Sequence, residues 1–113
     1  MRTRLVPIAI AAVLAGCTSQ TDRELEAVKS ARSVLAEWAL VEQQGDAGRA
    51  EATYVEQTRR LAREQLEVAG SALTGWPDAA RLIEQIRAGS PDATALKRAN
   101  AALEPLENRL EAS

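Results

Sequence analysis

The stretch 22–44, DRELEAVKSARSVLAEWALVEQQ, decides the fold class. Its apolar side chains Leu25, Val28, Ala31, Leu35, Trp38 and Ala39 recur at intervals of three and four, which gathers them on one face of an α-helix. Just upstream, Thr21-Asp22-Arg23-Glu24 has the Ser/Thr-x-x-Glu form of a capping box, which sets the helix start at Thr21. Downstream, Gly45 suits the left-handed position that closes a helix. The expected element is a helix over 21–44.

Working towards the C-terminus, Gly45-Asp46-Ala47-Gly48 reads as a turn, with Asp46 as the cap of a second helix over about 47–73. That helix carries Tyr54, Leu61 and Val68 at strict sevens, with Ala62, Gln65 and Ala72 beside them. A short turn between two long helices implies an antiparallel hairpin. Pro77-Asp78-Ala79-Ala80-Arg81-Leu82 is then echoed by Pro91-Asp92-Ala93-Thr94-Ala95-Leu96. Proline is favoured at the first helical position and an acid in the first turn complements the helix dipole, so the echoes start helices over about 77–88 and 91–111. Gly89 and Ser90 supply a stop and a cap between them. Leu96, Ala99, Leu103, Leu106 and Leu110 form a stripe on the last helix, and Pro105 should kink it by removing one backbone donor. The fold class is therefore all-α, a small antiparallel helical bundle of three to four helices over 21–113.

Composition agrees with helices and bounds the function. Alanine is abundant, Phe is absent, and the aromatic residues are Trp38, Tyr54 and Trp76, so the core is thin and its helices can approach closely. The formal charge is −2, with no basic face carrying stacking aromatics, which argues against nucleic acid as a partner. Histidine is absent and no glycine-rich phosphate loop is present. No cofactor, metal site or catalytic residue is expected, and the protein does not read as an enzyme.

Working towards the N-terminus, Arg2 and Arg4 precede an apolar stretch over 5–14, followed at once by Leu14-Ala15-Gly16-Cys17. A positive n-region and a short apolar run are the layout of an export signal, and the run is too short to span the roughly 30 Å bilayer core. Leu14-Ala15-Gly16-Cys17 resembles the lipobox of bacterial lipoproteins at all four positions. The resemblance implies that 1–16 is a signal peptide cleaved between Gly16 and Cys17, and that Cys17 carries a thioether-linked diacylglycerol, often with a further acyl chain such as palmitate on its amino group. Segment 17–20 is then the lipidated cysteine and a short linker, holding the domain against the membrane. Thr18 stands where an Asp would favour retention in the inner membrane. By analogy with enterobacterial lipoproteins this implies the outer membrane, facing the periplasm. Cys17 is the only cysteine, so no disulfide within the chain is possible.

Beyond Cys17 the candidate residues concern contact. A thin core invites completion by an envelope protein partner or by a homo-oligomer along Leu96, Leu103, Leu106 and Leu110, with Trp76 in the Gly-Trp-Pro junction as a further contact. Trp38 is expected in the core and Tyr54 in packing with its hydroxyl at the rim. The acids Glu104, Glu107 and Glu111 read as a solvated face. The basic knot Arg59, Arg60 and Arg63 should be cancelled by acids one helical turn away, in the pairs Glu56–Arg60, Arg60–Glu64 and Arg63–Glu67. The expected function is that of a non-enzymatic, protein-binding or structural component of the envelope. The alternative is a periplasmic small-ligand or inhibitor module with a cleft near Trp38 and Tyr54.

Overall fold

Ser19 opens the first helix: its hydroxyl accepts a hydrogen bond from the Asp22 backbone N–H at 3.0 Å, and α1 runs Gln20–Asp46. The computed structural model describes residues 19–113, so the expectations for Gly16 and Cys17 lie outside the described residues. The cap thus falls two residues before Thr21. The Glu24 side chain, which would have to reach back to complete a capping box, is buried at 7% exposure instead. Its Oε2 lies so close to the backbone at Gly75 that a Cβ there would come within 3.0 Å.

At the other end α1 overruns Gln44. Gly45 sits inside the last turn because Val55 needs the space, and a Cβ on Gly45 would approach Val55 Cγ2 to 3.0 Å. The left-handed residue of the turn is Gly48, at φ +72°. Asp46 therefore ends α1 and does not cap the next helix. That helix, α2, spans Ala52–Ser71 behind Glu51, whose side chain makes no capping bond. Next, α3 is Pro77–Ala88, as the sequence implies, with Pro77 at its start, Asp78 in the first turn and Arg87 in the last. Finally, α4 is Ala93–Glu111, capped by Asp92, whose Oδ1 accepts from the Ala95 N–H at 2.8 Å. The two Pro-Asp echoes are thus read in different registers. Pro77 lies within its helix, whereas Pro91 stands outside and Asp92 caps. The helix α4 runs on through Pro105.

Side-chain contacts fix the topology. Lys97 reaches Gln43, Arg32 reaches Asn100 and Glu107, and Lys29 faces Glu111, so α4 runs antiparallel to α1. The bundle is up-down-up-down. The long α1 packs against both α2 and α4, while α3 lies on α2 and meets α4 only sparsely. No described helix is long and apolar enough to cross a membrane.

The core contains the expected α1 face, Val28, Ala31, Leu35, Trp38 and Ala39, together with Leu73, Ile83, Leu96 and Leu103. The inner face of α2 differs from the expected row. Val55, Ala62, Leu66 and Ala69 are buried, and Tyr54, Leu61 and Val68 point outward at 49%, 54% and 73% exposure. Small residues explain the choice. Ala62, Ala69 and Gly70 let α2 lie close to its neighbours, with Ile83 only 3.4 Å from where a Gly70 Cβ would be.

Of the acids of α4, Glu104 and Glu111 are exposed, as a solvated face implies, whereas Glu107 is drawn part-way into the border with α1. Arg32 donates to Glu107 at 3.0 Å, to Glu104 at 3.3 Å and to the side-chain Oδ1 of Asn100 at 2.8 Å. Lys29 stands 3.7 Å from Glu111. These acids form a polar seam that zips α1 to α4, because an Arg on the facing helix is within reach of a whole row spaced at three and four.

Candidate functional site

The stripe expected to meet a partner is taken up by the protein itself. Leu96, Leu103 and Leu110 are 0%, 1% and 4% exposed, and Leu106 packs partly buried against the same core. The long α1 is the helix that completes this face. The first helix packs against both α2 and α4, so the face of α4 that carries Leu96, Leu103 and Leu110 is covered, and the apolar side chains that α4 leaves open lie along its border with α3.

The exposed large apolar residues of α2 form a separate surface on its outside. Tyr54, Leu61 and Val68 stand one above another at intervals of seven, with Thr58 and Gln65 between them. Beside the row runs a shallow groove whose far wall is α1, lined there by Ser30, Ser33, Val34 and Glu37. Tyr54 is therefore half-exposed and not a packing residue. Leu40 on α1, at 53%, adds a separate exposed apolar side chain.

Towards the α1–α2 turn lies a polar cluster centred on Glu42, which is 6% exposed. Its carboxylate accepts from Trp38 Nε1 at 2.8 Å and from Arg59 Nε and Nη2 at 2.6 and 2.9 Å. The bonds from Arg59, helped by Trp38, hold the Glu42 carboxyl below its ordinary value of 4.5 against the opposing effect of burial. The Arg59 guanidinium is pushed further up by the same partner. Arg63 lies over the Trp38 ring at 5.4 Å and donates to the carbonyl oxygens of Arg87 and Gly89, both at 3.2 Å. Arg59 and Arg63 of the basic knot are thus held by tertiary contacts, with Glu56 as a further partner of Arg59, and not by the expected pairs one turn apart. Glu42 is ionised, with its oxygens engaged by three N–H groups, so it is a structural lock and has no proton to give near neutrality. The signal in the sequence was the Trp38–Glu42 spacing of four, which aligns an indole N–H with a carboxylate on one helix face.

Trp76 is half-buried, with the Arg109 guanidinium stacked over its ring at 5.1 Å. Behind them, where α3 and α4 diverge, is an apolar cleft of about 430 Å³ whose walls include Leu82, Leu103 and Leu106. The hollow near Trp38 and Tyr54 is smaller, about 200 Å³. Trp38 itself is in the core, as the sequence implies, at 1% exposure. Sequence reading did not find Arg109, which looks like any cation near a helix C-terminus until the α2–α3 junction folds against it. Against this geometry, the chain matches no known protein family, no curated protein and no solved structure.

Proposed function

We propose that this protein is a lipid-anchored, non-enzymatic component of a bacterial cell envelope that works by binding protein through the outer face of α2. The anchor rests on Leu14-Ala15-Gly16-Cys17, with cleavage before Cys17, a diacylglycerol and palmitate on that residue, and the outer membrane facing the periplasm as the destination. The single observation that carries the binding role is the row Tyr54, Leu61 and Val68, left outside a bundle that buries its other long apolar stripes. A spacing of seven suits a second helix laid alongside with a left-handed crossing.

The partner is a second copy. Two copies anchored in one membrane present α2 in the same direction. In-register parallel pairing then sets each of Tyr54, Leu61 and Val68 on its own counterpart, and Gln65 opposite Gln65, where the side-chain amides can pair. Confinement to a surface raises the effective concentration. The small-ligand reading near Trp38 and Tyr54 loses support because the hollow there, about 200 Å³, is below the roughly 300 Å³ of ordinary ligand sites.

The four described helices lie within residues 19–113, so a chain starting at 17 with Cys17→Ser keeps the whole bundle that they form. It should sediment as a dimer, Leu61→Glu should make it a monomer with unchanged helix content, and Val68→Cys should form a disulfide between copies. A monomer at high micromolar concentration, or crosslinking only between different positions of the two chains, overturns this pairing. The anchor is tested separately, by the mass of the membrane-extracted protein. An unmodified Cys17 or a retained 1–16 segment removes it.

A further inference from the structure

We propose that the cleft between α3 and α4 is a binding site for a fatty-acid anion, with the hydrocarbon lying between the helices and the carboxylate held by Arg109. The cleft exists because α3 packs on α2 and barely touches α4. Its walls are apolar: Trp76, Pro77 and Leu82 on one side, Leu103, Pro105 and Leu106 on the other. At about 430 Å³ it lies within the range of small-molecule sites. A cleft lined by apolar side chains of two helices suits a hydrocarbon chain.

Charge decides which end group the chain carries. Arg109 lines the cleft, and its guanidinium is stacked on Trp76 without being joined to any carboxylate among the described residues. Its planar fork is thus placed by the indole and keeps its N–H donors for an anion. The one acid lining the cleft, Asp78, has a side chain 97% exposed and points to Arg81 Nη1 at 3.3 Å, so its charge is paired and screened. A carboxylate at Arg109 meets a cation that the fold has left unneutralised. The site does not depend on lipid at Cys17 or on pairing of α2, because its residues belong to α3, α4 and the residue before α3.

The probe is oleate below its micellar concentration, titrated into the chain starting at 17 with Cys17→Ser, followed by calorimetry and by Trp fluorescence. Saturable binding of one oleate per chain is expected, with methyl oleate, which lacks the anion, binding about tenfold or more weakly. Arg109→Gln should cause a loss of the same order and bring the two ligands level. Ala102→Phe, at an exposed position on the cleft wall, should abolish binding by filling it while circular dichroism confirms the fold. Equal binding of oleate and its methyl ester, binding that Arg109→Gln and Ala102→Phe leave unchanged, or no saturable binding at all overturns the site. Adsorption to anionic phospholipid vesicles without binding of monomeric oleate also overturns it, since that would make Trp76 and Arg109 a membrane-facing patch.

Discussion

At the scale of the residue, Glu42 shows how one buried charge joins three parts of the bundle. It lies on α1 and takes hydrogen bonds from Trp38 of the same helix and Arg59 of the next, while Arg63 covers the Trp38 ring and ties α2 to the end of α3. Removing it leaves a buried indole N–H without a partner and Arg59 without its main one. Glu42→Ala should therefore cost about 2 to 3 kcal/mol in urea unfolding, less than for a wholly buried pair because Arg59 is 39% exposed and reaches water. The pH dependence has a definite sign. A carboxyl whose pKa is lower in the folded than in the unfolded chain adds stability above the unfolded value, and that part is lost as pH falls through the folded value. Stability should thus decline as pH drops below about 4.5, and Glu42→Gln should flatten that decline. Glu84 is also held low, by Arg87, but it is exposed, so Glu84→Gln should leave the acid limb nearly unchanged. An acid limb insensitive to Glu42 would remove the lock. The burial of Glu42 was not legible in the sequence, because it depends on which face of α2 turns inward.

At the scale of the element, some boundaries were written in the chain and others depended on neighbours. The helix α3 was legible at both ends, since Pro77 and Gly89 act through their own backbones. The ends of α1 were not: Glu24 and Gly45, which resemble a capping box and a stop, are used for contact with Gly75 and Val55. The inward face of α2 is set by a related cause. Tyr54, Leu61 and Val68 recur at sevens, but the bundle turns Ala62, Leu66 and Ala69 inward, where the two alanines let the helix axes close around Leu66. Pro105 lies at an exposed position inside α4. It supplies no N–H to the Ala101 carbonyl and crowds it, so Pro105→Ala should restore one backbone bond and raise stability by about 1 to 3 kcal/mol. A loss of stability on that change would mean that the proline ring is needed as a wall of the cleft between α3 and α4.

At the scale of the whole molecule, the consequence of the thin core is an uneven distribution of stability. The middle of α1 sits between α2 and α4, and Val28, Ala31 and Leu35 are closed off from solvent. In α3 the single buried residue is Ile83, and the side of the helix turned to α4 opens onto the cleft. Opening of α3 therefore exposes less apolar surface than opening of α1, namely Ile83 with the partly buried Leu82 and Ile86, and breaks the contact with Gly70 and the bonds from Arg63. Opening of α1 requires the whole bundle to come apart. The expected outcome in native-state hydrogen exchange is two levels. Amides of α1 around Val28 to Ala39 should exchange only through global unfolding, with the full denaturant dependence. Those in the middle of α3 should exchange through a smaller opening with a weaker dependence. Oleate, if it seats between α3 and α4, should raise protection in α3 more than in α1, because it binds the closed form of the weakest side. Equal protection of α3 and α1 without any ligand would show that the sparse contact between α3 and α4 is not a weak seam. The cleft would then be a rigid feature of the fold and not its most easily opened part.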